Sequence, residues 1–320
     1  MSSSLRVVDL VGVGLNAADT VIAIDRYPDR GSKIGYRDET IMPGGQVAST
    51  VVACAQWGLS ARYVGKLGAD DAARLHHLEF EQSGVDARIV TVPGAASHKS
   101  LILVDHEGER TVFGRRDPRL TLQPEELQRE WIVNARALHV DGYDTAAATL
   151  AATWAHEAGI PVLADIDEPY PGVNALLEKI DYLIVSRTFP AMLMGGLEGG
   201  DALRTMHARF GNVLSASTLG PGGVLAWDGR QFFYNAAYDV PVVDSTGAGD
   251  AFHSGFIFGH LQGWPLDRVL DFSCAAAALN CMAVGARGGT GTVAAIEELR
   301  RTTSRHPAPD FVAPLLSIPA

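Results

Sequence analysis

Short apolar runs alternate with longer helix-like stretches along nearly the whole chain, and few architectures accept that order. The candidate core strands are residues 7–13, 61–64, 137–140, 161–164, Tyr182–Val185 and 213–216. Between them lie helical stretches such as 145–158, ended by Gly159, and 125–133, which follows Pro124. Strands this apolar are buried on both faces, so the pattern predicts an α/β fold, a central mostly parallel sheet with helices on both faces. A chain of 320 residues, 47% hydrophobic and 20% charged, is long enough to bury a substantial core.

Two regions break the alternation. Residues 21–24 with 33–41, and 100–104 with 110–113, read as short strands of period-two patterning, the second pair joined by Asp105-His106-Glu107-Gly108. They could form a small separate sheet. The tail from Thr302 carries Pro307, Pro309, Pro314 and Pro319, which excludes a long regular helix and predicts a surface strap or a poorly ordered end.

Lys and Arg number 26 against 37 Asp and Glu, a net charge of −11, which argues against a nucleic-acid surface. Any phosphate ligand must then be held by local amides and a few cations. Met1-Ser2-Ser3-Ser4-Leu5-Arg6 lacks a signal-peptide layout, and no run is long enough to span a bilayer. Cys54, Cys274 and Cys281 are too few and too scattered for a disulfide framework or zinc site. The expected setting is the cytoplasm, with no membrane partner.

The segment Asp244-Ser245-Thr246-Gly247-Ala248-Gly249-Asp250-Ala251-Phe252 carries the clearest chemistry. Tyr238-Asp239-Val240-Pro241-Val242-Val243 leads in and an apolar, glycine-spaced stretch leads out, which reads as strand, tight turn and helix. The first N–H groups of such a helix lack internal partners, and its dipole favours negative charge. Gly247, Ala248 and Gly249 would let phosphate oxygens approach the backbone. Asp250, in the first turn, could take a proton from an attacking hydroxyl, or simply complement the helix N-terminus.

The whole string resembles the C-terminal signature of the ribokinase-like (PfkB) carbohydrate kinases. The resemblance implies an anion hole at Gly247, Ala248 and Gly249, with Asp250 as the catalytic base. An N-terminal signature supports it. Pro43-Gly44-Gly45-Gln46-Val47-Ala48-Ser49-Thr50 opens a small-residue helix running to Trp57-Gly58, and Gly65-Lys66-Leu67-Gly68-Ala69-Asp70 follows. The family usually has Asn where this chain has Ser49. A ketohexokinase-like or sulfofructose-kinase-like branch is one option within the family, and 23–28 also resembles it.

The resemblance implies a sugar site at Asp19, Asn16, Gly44, Gly45 and Ser49, with Arg110 offering a cation from the lid side. A carboxylate such as Asp19 suits polyols because it accepts two hydroxyl hydrogen bonds. A solvated strand-edge Asp19, glycines serving helix packing and an exposed Arg110 are the plainer readings. Gly12-Val13-Gly14 superficially matches a dinucleotide fingerprint, but a strand-like stretch follows where a helix is required.

Ser217-Thr218-Leu219-Gly220-Pro221-Gly222-Gly223 is a glycine-rich hairpin turn, and Thr218, Gly220 and Gly223 match the family's nucleotide loop. The family places adenine near Cys274 and Ala278, on a small-residue stripe that close helix packing explains equally well. Asp244, with backbone from Gly285-Ala286-Arg287-Gly288-Gly289, matches a monovalent-cation region, expected to take K+. ATP needs Mg2+. Many relatives order its waters with an Asn-x-x-Glu motif, where this chain has Ser186-Arg187-Thr188-Phe189. Asp165 and Asp167 are the candidate substitutes.

The expectation is a ribokinase-like kinase domain over residues 1–301, with lid strands inserted at about 15–42 and 97–117, and a Pro-rich tail over 302–320. It would phosphorylate a primary hydroxyl of a sugar or sugar-like alcohol with ATP, as a homodimer joined through the lid. A nucleoside kinase, a non-catalytic sugar or nucleotide sensor, and a dinucleotide oxidoreductase are the rivals.

Overall fold

The computed structural model describes residues 7–317. The leader reading of residues 1–6, and Pro319, lie outside the described residues. A nine-stranded sheet contains β1 (Val8–Val13), β4 (Ala61–Leu67), β5 (Asp86–Thr91), β8 (Ala135–Asp141), β9 (Val162–Ile166), β10 (Tyr182–Val185), β11 (Leu214–Thr218), β12 (Val224–Trp227) and β13 (Phe232–Asn235). Its order is β13-β12-β11-β10-β9-β8-β1-β4-β5. Pairing is parallel from β5 through β11 and antiparallel at β12 and β13.

The apolar strands divide their side chains between two layers, as period-two geometry demands. Leu10, Ala137, Leu163 and Ile184 pack under the helices Gln46–Gln56, Ala248–Leu261 and Leu266–Cys281. Val11, Val13, Leu138, Val140, Val162 and Leu183 pack under Thr145–Glu157 and Val173–Leu177. Helices therefore cover both faces, and the parallel strands leave a cleft at their C-terminal ends.

A second sheet, β3-β2-β6-β7, comprises β2 (Ala17–Ala23), β3 (Asp38–Gly44), β6 (Lys99–Val104) and β7 (Arg110–Arg115). Asp19 lies across from Met42 and Ser100, on the same face as Val21 and Ile102. That face is buried. The β6–β7 turn reaches the other half of the molecule, where Gly108 O accepts from Ser245 N at 2.9 Å.

Several local expectations change. Residues 238–243 form no strand: Pro241 lacks an N–H, and the segment is anchored by the bridge Tyr238↔Arg305 and by bonds from Asp239 N to Ser304 O and from Val243 N to Cys281 O. The 125–133 helix is broken into a 3-10 turn, Pro124–Glu126, and a short helix, Arg129–Ile132. Glu126 closes a capping box with Gln123, and Leu127 is buried in an extended conformation between the two pieces. Residues 33–37 stay outside the lid sheet, whose β2–β3 pairing begins at Asp38.

The tail runs back over the molecule: Ser304 O accepts from Asp239 N and His306 N donates to Ala237 O. It then forms the short helix Val312–Leu316.

Candidate active site

Gly247 caps the N-terminus of Ala248–Leu261 with φ 74° and ψ 5°. Only glycine adopts that conformation without strain, and a Cβ there would strike the Ala286 backbone. Beside Gly249 the space is open, with no heavy atom within 4 Å of its ideal Cβ position. Ala248 N makes a long bond to Ser245 O, 3.3 Å, which a phosphate oxygen could replace.

Asp244 clips this cradle in place. Its Oδ1 accepts from Thr246 N at 2.8 Å and its Oδ2 from Gly285 N at 2.7 Å. Asn280 Nδ2 donates to Thr246 O, while Thr246 Oγ1 and Asn280 Oδ1 are buried with no partner. Arg110 joins from the lid, donating from Nη1 to Ser245 O at 3.1 Å.

Asp250 stands in the first turn of the cradle helix. Burial pushes its pKa well above the ordinary carboxylate value. Asp165 and Asp19 push the same way, while Arg110 and a hydrogen bond from Ser49 oppose them. Proton affinity is thus concentrated at the carboxylate expected to act as base.

Asp165, at the end of β9, sits in the layer of that helix, with its Oδ1 3.2 Å from His253 Nε2. Burial acts to raise its pKa, but His253, His139 and a hydrogen bond from Gln46 outweigh burial and hold it low. Gln46, the first residue of the Gln46–Gln56 helix, is thus engaged with Asp165. Asp167 accepts from Tyr170 OH at 3.1 Å, and burial together with Asp165 lifts it to about 6. Phe189, at the position of the expected Mg-site Glu, is fully buried in the core. Among the described residues, no cluster of three His, Cys, Asp or Glu could hold a metal alone.

In the second sheet, Asp19 is buried and lifted to about 6, chiefly by burial. Ser100 and Arg287 oppose this and Asp244 adds to it. Gly44 is required beneath it, because a Cβ there would collide with the Asp19 carboxylate. Gly45 packs directly on the backbone of Asn16 and Leu15. Asn16 donates to Tyr63 OH at 2.6 Å and Lys66 O at 3.2 Å, so its amide nitrogen fixes the end of β1.

Gly14 leads into strand β2 and abuts Asp141, which removes the helix that a dinucleotide site needs. Asp141 accepts from Leu15 N and Tyr143 N, yet burial raises it to about 8.

In the turn after β11, Thr218 Oγ1 donates to Val185 O at 3.4 Å, and Gly220 has φ 60° with open space around it. A Cβ on Gly223 would meet Asn235 O, the atom that also faces Cys274 Sγ at 3.8 Å. Cys274 and Ala278 are both buried, so close packing accounts for much of that stripe.

Sequence reasoning missed Arg287, Asp141 and the Asp165–His253 pair. Arg287 lies within the glycine-rich 285–289 segment, but its partner Ser49 is 238 residues away, so no local pattern announces it.

A family profile described as pfkB family carbohydrate kinase matches residues 17–292. An ATP-dependent ribose-1-phosphate kinase of Halopiger xanaduensis is 30% identical over 277 residues, covering 84% of this chain and 90% of the relative. A 5-dehydro-2-deoxygluconokinase of Geobacillus thermodenitrificans is 24% identical, covering 74% and 77%. The crystal structure of a candidate ribokinase from Agrobacterium tumefaciens matches at a TM-score of 0.86 and 27% identity, covering 92% of this chain and 97% of that one. The two sheets, the glycine cradle and these matches together make the chain a member of the pfkB family of carbohydrate kinases, with a ribokinase-like fold.

Proposed function

We propose that this carbohydrate kinase uses ATP to phosphorylate a primary hydroxyl of a sugar or sugar-like alcohol, with Asp250 as the general base. The observation that carries the reading is the Asp250 carboxyl, raised in pKa, one turn from a glycine-capped helix start whose mouth is open. Asp19 orients substrate hydroxyls, with Gly44 leaving room for its carboxylate and Gly45 packed on the backbone of Asn16 and Leu15. Asp250 takes the proton of the attacking hydroxyl. The amides of Gly247, Ala248 and Gly249 then meet the charge building on the transferring group. Closure of the lid sheet, through Gly108 and Arg110, excludes water.

The nucleotide lies across the Thr218–Gly223 turn toward the cradle. A magnesium ion bound with the phosphates would supply charge neutralisation. The donor set fits a hydrated ion held through Asp167, since Asp165 is engaged by His253. The unpartnered Thr246 Oγ1 and Asn280 Oδ1 beside Asp244 fit a monovalent cation such as K+. The outer row of the lid carries exposed Ile41, Leu101 and Phe113 around a half-buried Thr20, which suits a homodimer through the lid. Phe113→Glu should then give a monomer by light scattering.

The test is Asp250→Asn in an assay of ADP release with D-ribose, D-fructose, ribose 1-phosphate, 5-dehydro-2-deoxygluconate and nucleosides. ATP binding should persist, while turnover falls by about 10²-fold or more. Near-normal turnover in the variant would sink the assignment of the base. Ligand binding by the wild-type protein without turnover would favour the sensor reading.

A further inference from the structure

Arg287 is almost completely enclosed, its side chain 8% exposed, and is held on three sides. Nε donates to Ser49 Oγ at 3.0 Å, Nη2 donates to Gly44 O at 2.8 Å, and Nη1 is paired with Glu79. A guanidinium has no acceptor. The Ser49 oxygen must therefore accept from Arg287, which leaves its single proton free to be donated elsewhere. On the other side Ser49 neighbours Asp250: the adjacent Thr50 Oγ1 donates to the Asp250 backbone carbonyl at 3.3 Å, and the Ser49 hydroxyl acts to lower the pKa of the Asp250 carboxyl. Glu79, Arg287 and Ser49 thus form one chain of polar contacts that runs from the Asp71–Gln82 helix to the neighbourhood of Asp250 in the first turn of the cradle helix.

We propose that Arg287 and Ser49 are positioning residues for the base: the guanidinium fixes the Ser49 hydroxyl as a donor, and the hydroxyl holds the Asp250 carboxylate toward the substrate hydroxyl. The arrangement follows the logic of a base oriented by a third group. It also gives Ser49 a role different from contact with the sugar. The backbone reinforces it: Gly285 N binds Asp244 and Ala286 abuts Gly247, so the residues just before Arg287 secure the cradle itself. Ser49 and Arg287 belong to elements far apart in sequence, and only the closed fold puts them on one oxygen.

This inference rests on Asp250 being the base. The groups facing Asp250 are Asp165 from β9, Arg110 from the lid, Asp19 from β2 and Ser49 itself. The experiment measures initial rates across pH for Ser49→Ala, Ser49→Thr, Arg287→Met, Arg287→Lys and the double variant Ser49→Ala/Arg287→Met. Saturating ATP is used with whichever of D-ribose, D-fructose, ribose 1-phosphate and 5-dehydro-2-deoxygluconate the wild-type protein turns over fastest.

Ser49→Ala should lower kcat about tenfold and move the acid limb of kcat up by about one pH unit, with the sugar KM within about threefold. The upward direction follows because the lost donor stabilised the charged carboxylate. Arg287→Met should move both quantities the same way, Ser49→Thr should restore them, and Arg287→Lys should restore them in part. The double variant should be no worse than Ser49→Ala alone, since both remove one chain of contacts.

A rise in sugar KM with kcat and the pH limb unchanged would place Ser49 on the sugar and overturn the proposal. So would multiplicative losses in the double variant. If Arg287→Met fails to fold, the Ser49→Ala and Ser49→Thr pair decides alone. A wild-type protein inactive on every sugar would instead refute the kinase chemistry, and this relay with it.

Discussion

Gly249→Ala separates a ligand cradle from a merely well-packed turn. An Ala at this helical position has no unfavourable φ to adopt, and its methyl would meet no heavy atom within 4 Å. Stability should be unchanged or raised by up to about 1 kcal/mol, because the unfolded chain loses freedom. That corresponds to a rise in Tm of at most about 2–4 °C. The methyl would nonetheless fill the space where the transferring phosphoryl group is proposed to sit. A displacement of about 1 Å there should lower kcat by about 10²-fold.

Gly247→Ala is the contrasting case. Its φ of 74° costs an L-residue about 1–2 kcal/mol, and the new Cβ would collide with Ala286. That backbone is pinned on one side by the bond from Gly285 to Asp244 and on the other by the Arg287 contacts. A total loss of about 2–4 kcal/mol follows, together with lost activity. Calorimetry and the ADP-release assay, run on both variants, give the comparison. Full kcat in a stable Gly249→Ala protein would show that no reacting group occupies the open mouth, and the cradle reasoning would fail.

Wild-type kcat should fall with acid well above the ordinary carboxylate range, because Asp250 must be ionised to act and its pKa is raised. In Asp165→Asn the loss of a neighbouring negative charge should move that limb to lower pH, read from the kcat–pH profile. Replacing K+ by a large organic cation should lower activity if Thr246 Oγ1 and Asn280 Oδ1 hold the ion, checked by titrating K+ back. Asp271 accepts from Tyr238 at 2.8 Å and pairs with Arg300 and Arg305, which ties the tail to the body. Although burial acts to raise its pKa, Arg305 and Arg300 hold it below the ordinary value. Its stabilisation is therefore present above about pH 3.9 and lost as pH falls through the depressed folded value. Asp271→Ala should cost about 2–4 kcal/mol at neutral pH in thermal unfolding, because two arginines lose their partner.

The parallel strands were legible because each is a short apolar run buried on both faces, a property of the run itself. Tyr182–Val185 coincides with β10, and the other predicted runs differ at their ends by one to three residues. The edge strand β5 was not read, since Asp86-Ala87-Arg88-Ile89-Val90-Thr91 is only half-buried and its polarity obscures the period. The hairpin β12–β13 was missed too, although Asp228-Gly229 sits between its strands. The 238–243 stretch looked like a strand from its valines, yet Val242 and Val243 are 45% exposed and have no neighbouring strand to pair with.

Glycine spacing beside an Asp was enough to single out the Gly247–Asp250 cradle, because backbone freedom and a first-turn carboxylate are local properties. Asp19 came from the family resemblance instead, and its contact with Gly44 joins two segments that only the lid-sheet pairing brings together. Charge state and partnership are not local. Burial and the surrounding carboxylates set the proton affinity of Asp250, His253 claims Asp165, and Arg287 crosses the fold to Ser49. By itself the sequence determined the layered α/β fold and the glycine-flanked turn at Gly247–Asp250. The tertiary structure decided which carboxyls have shifted proton affinity and which side chains are already paired, because those depend on distances between segments that are remote along the chain.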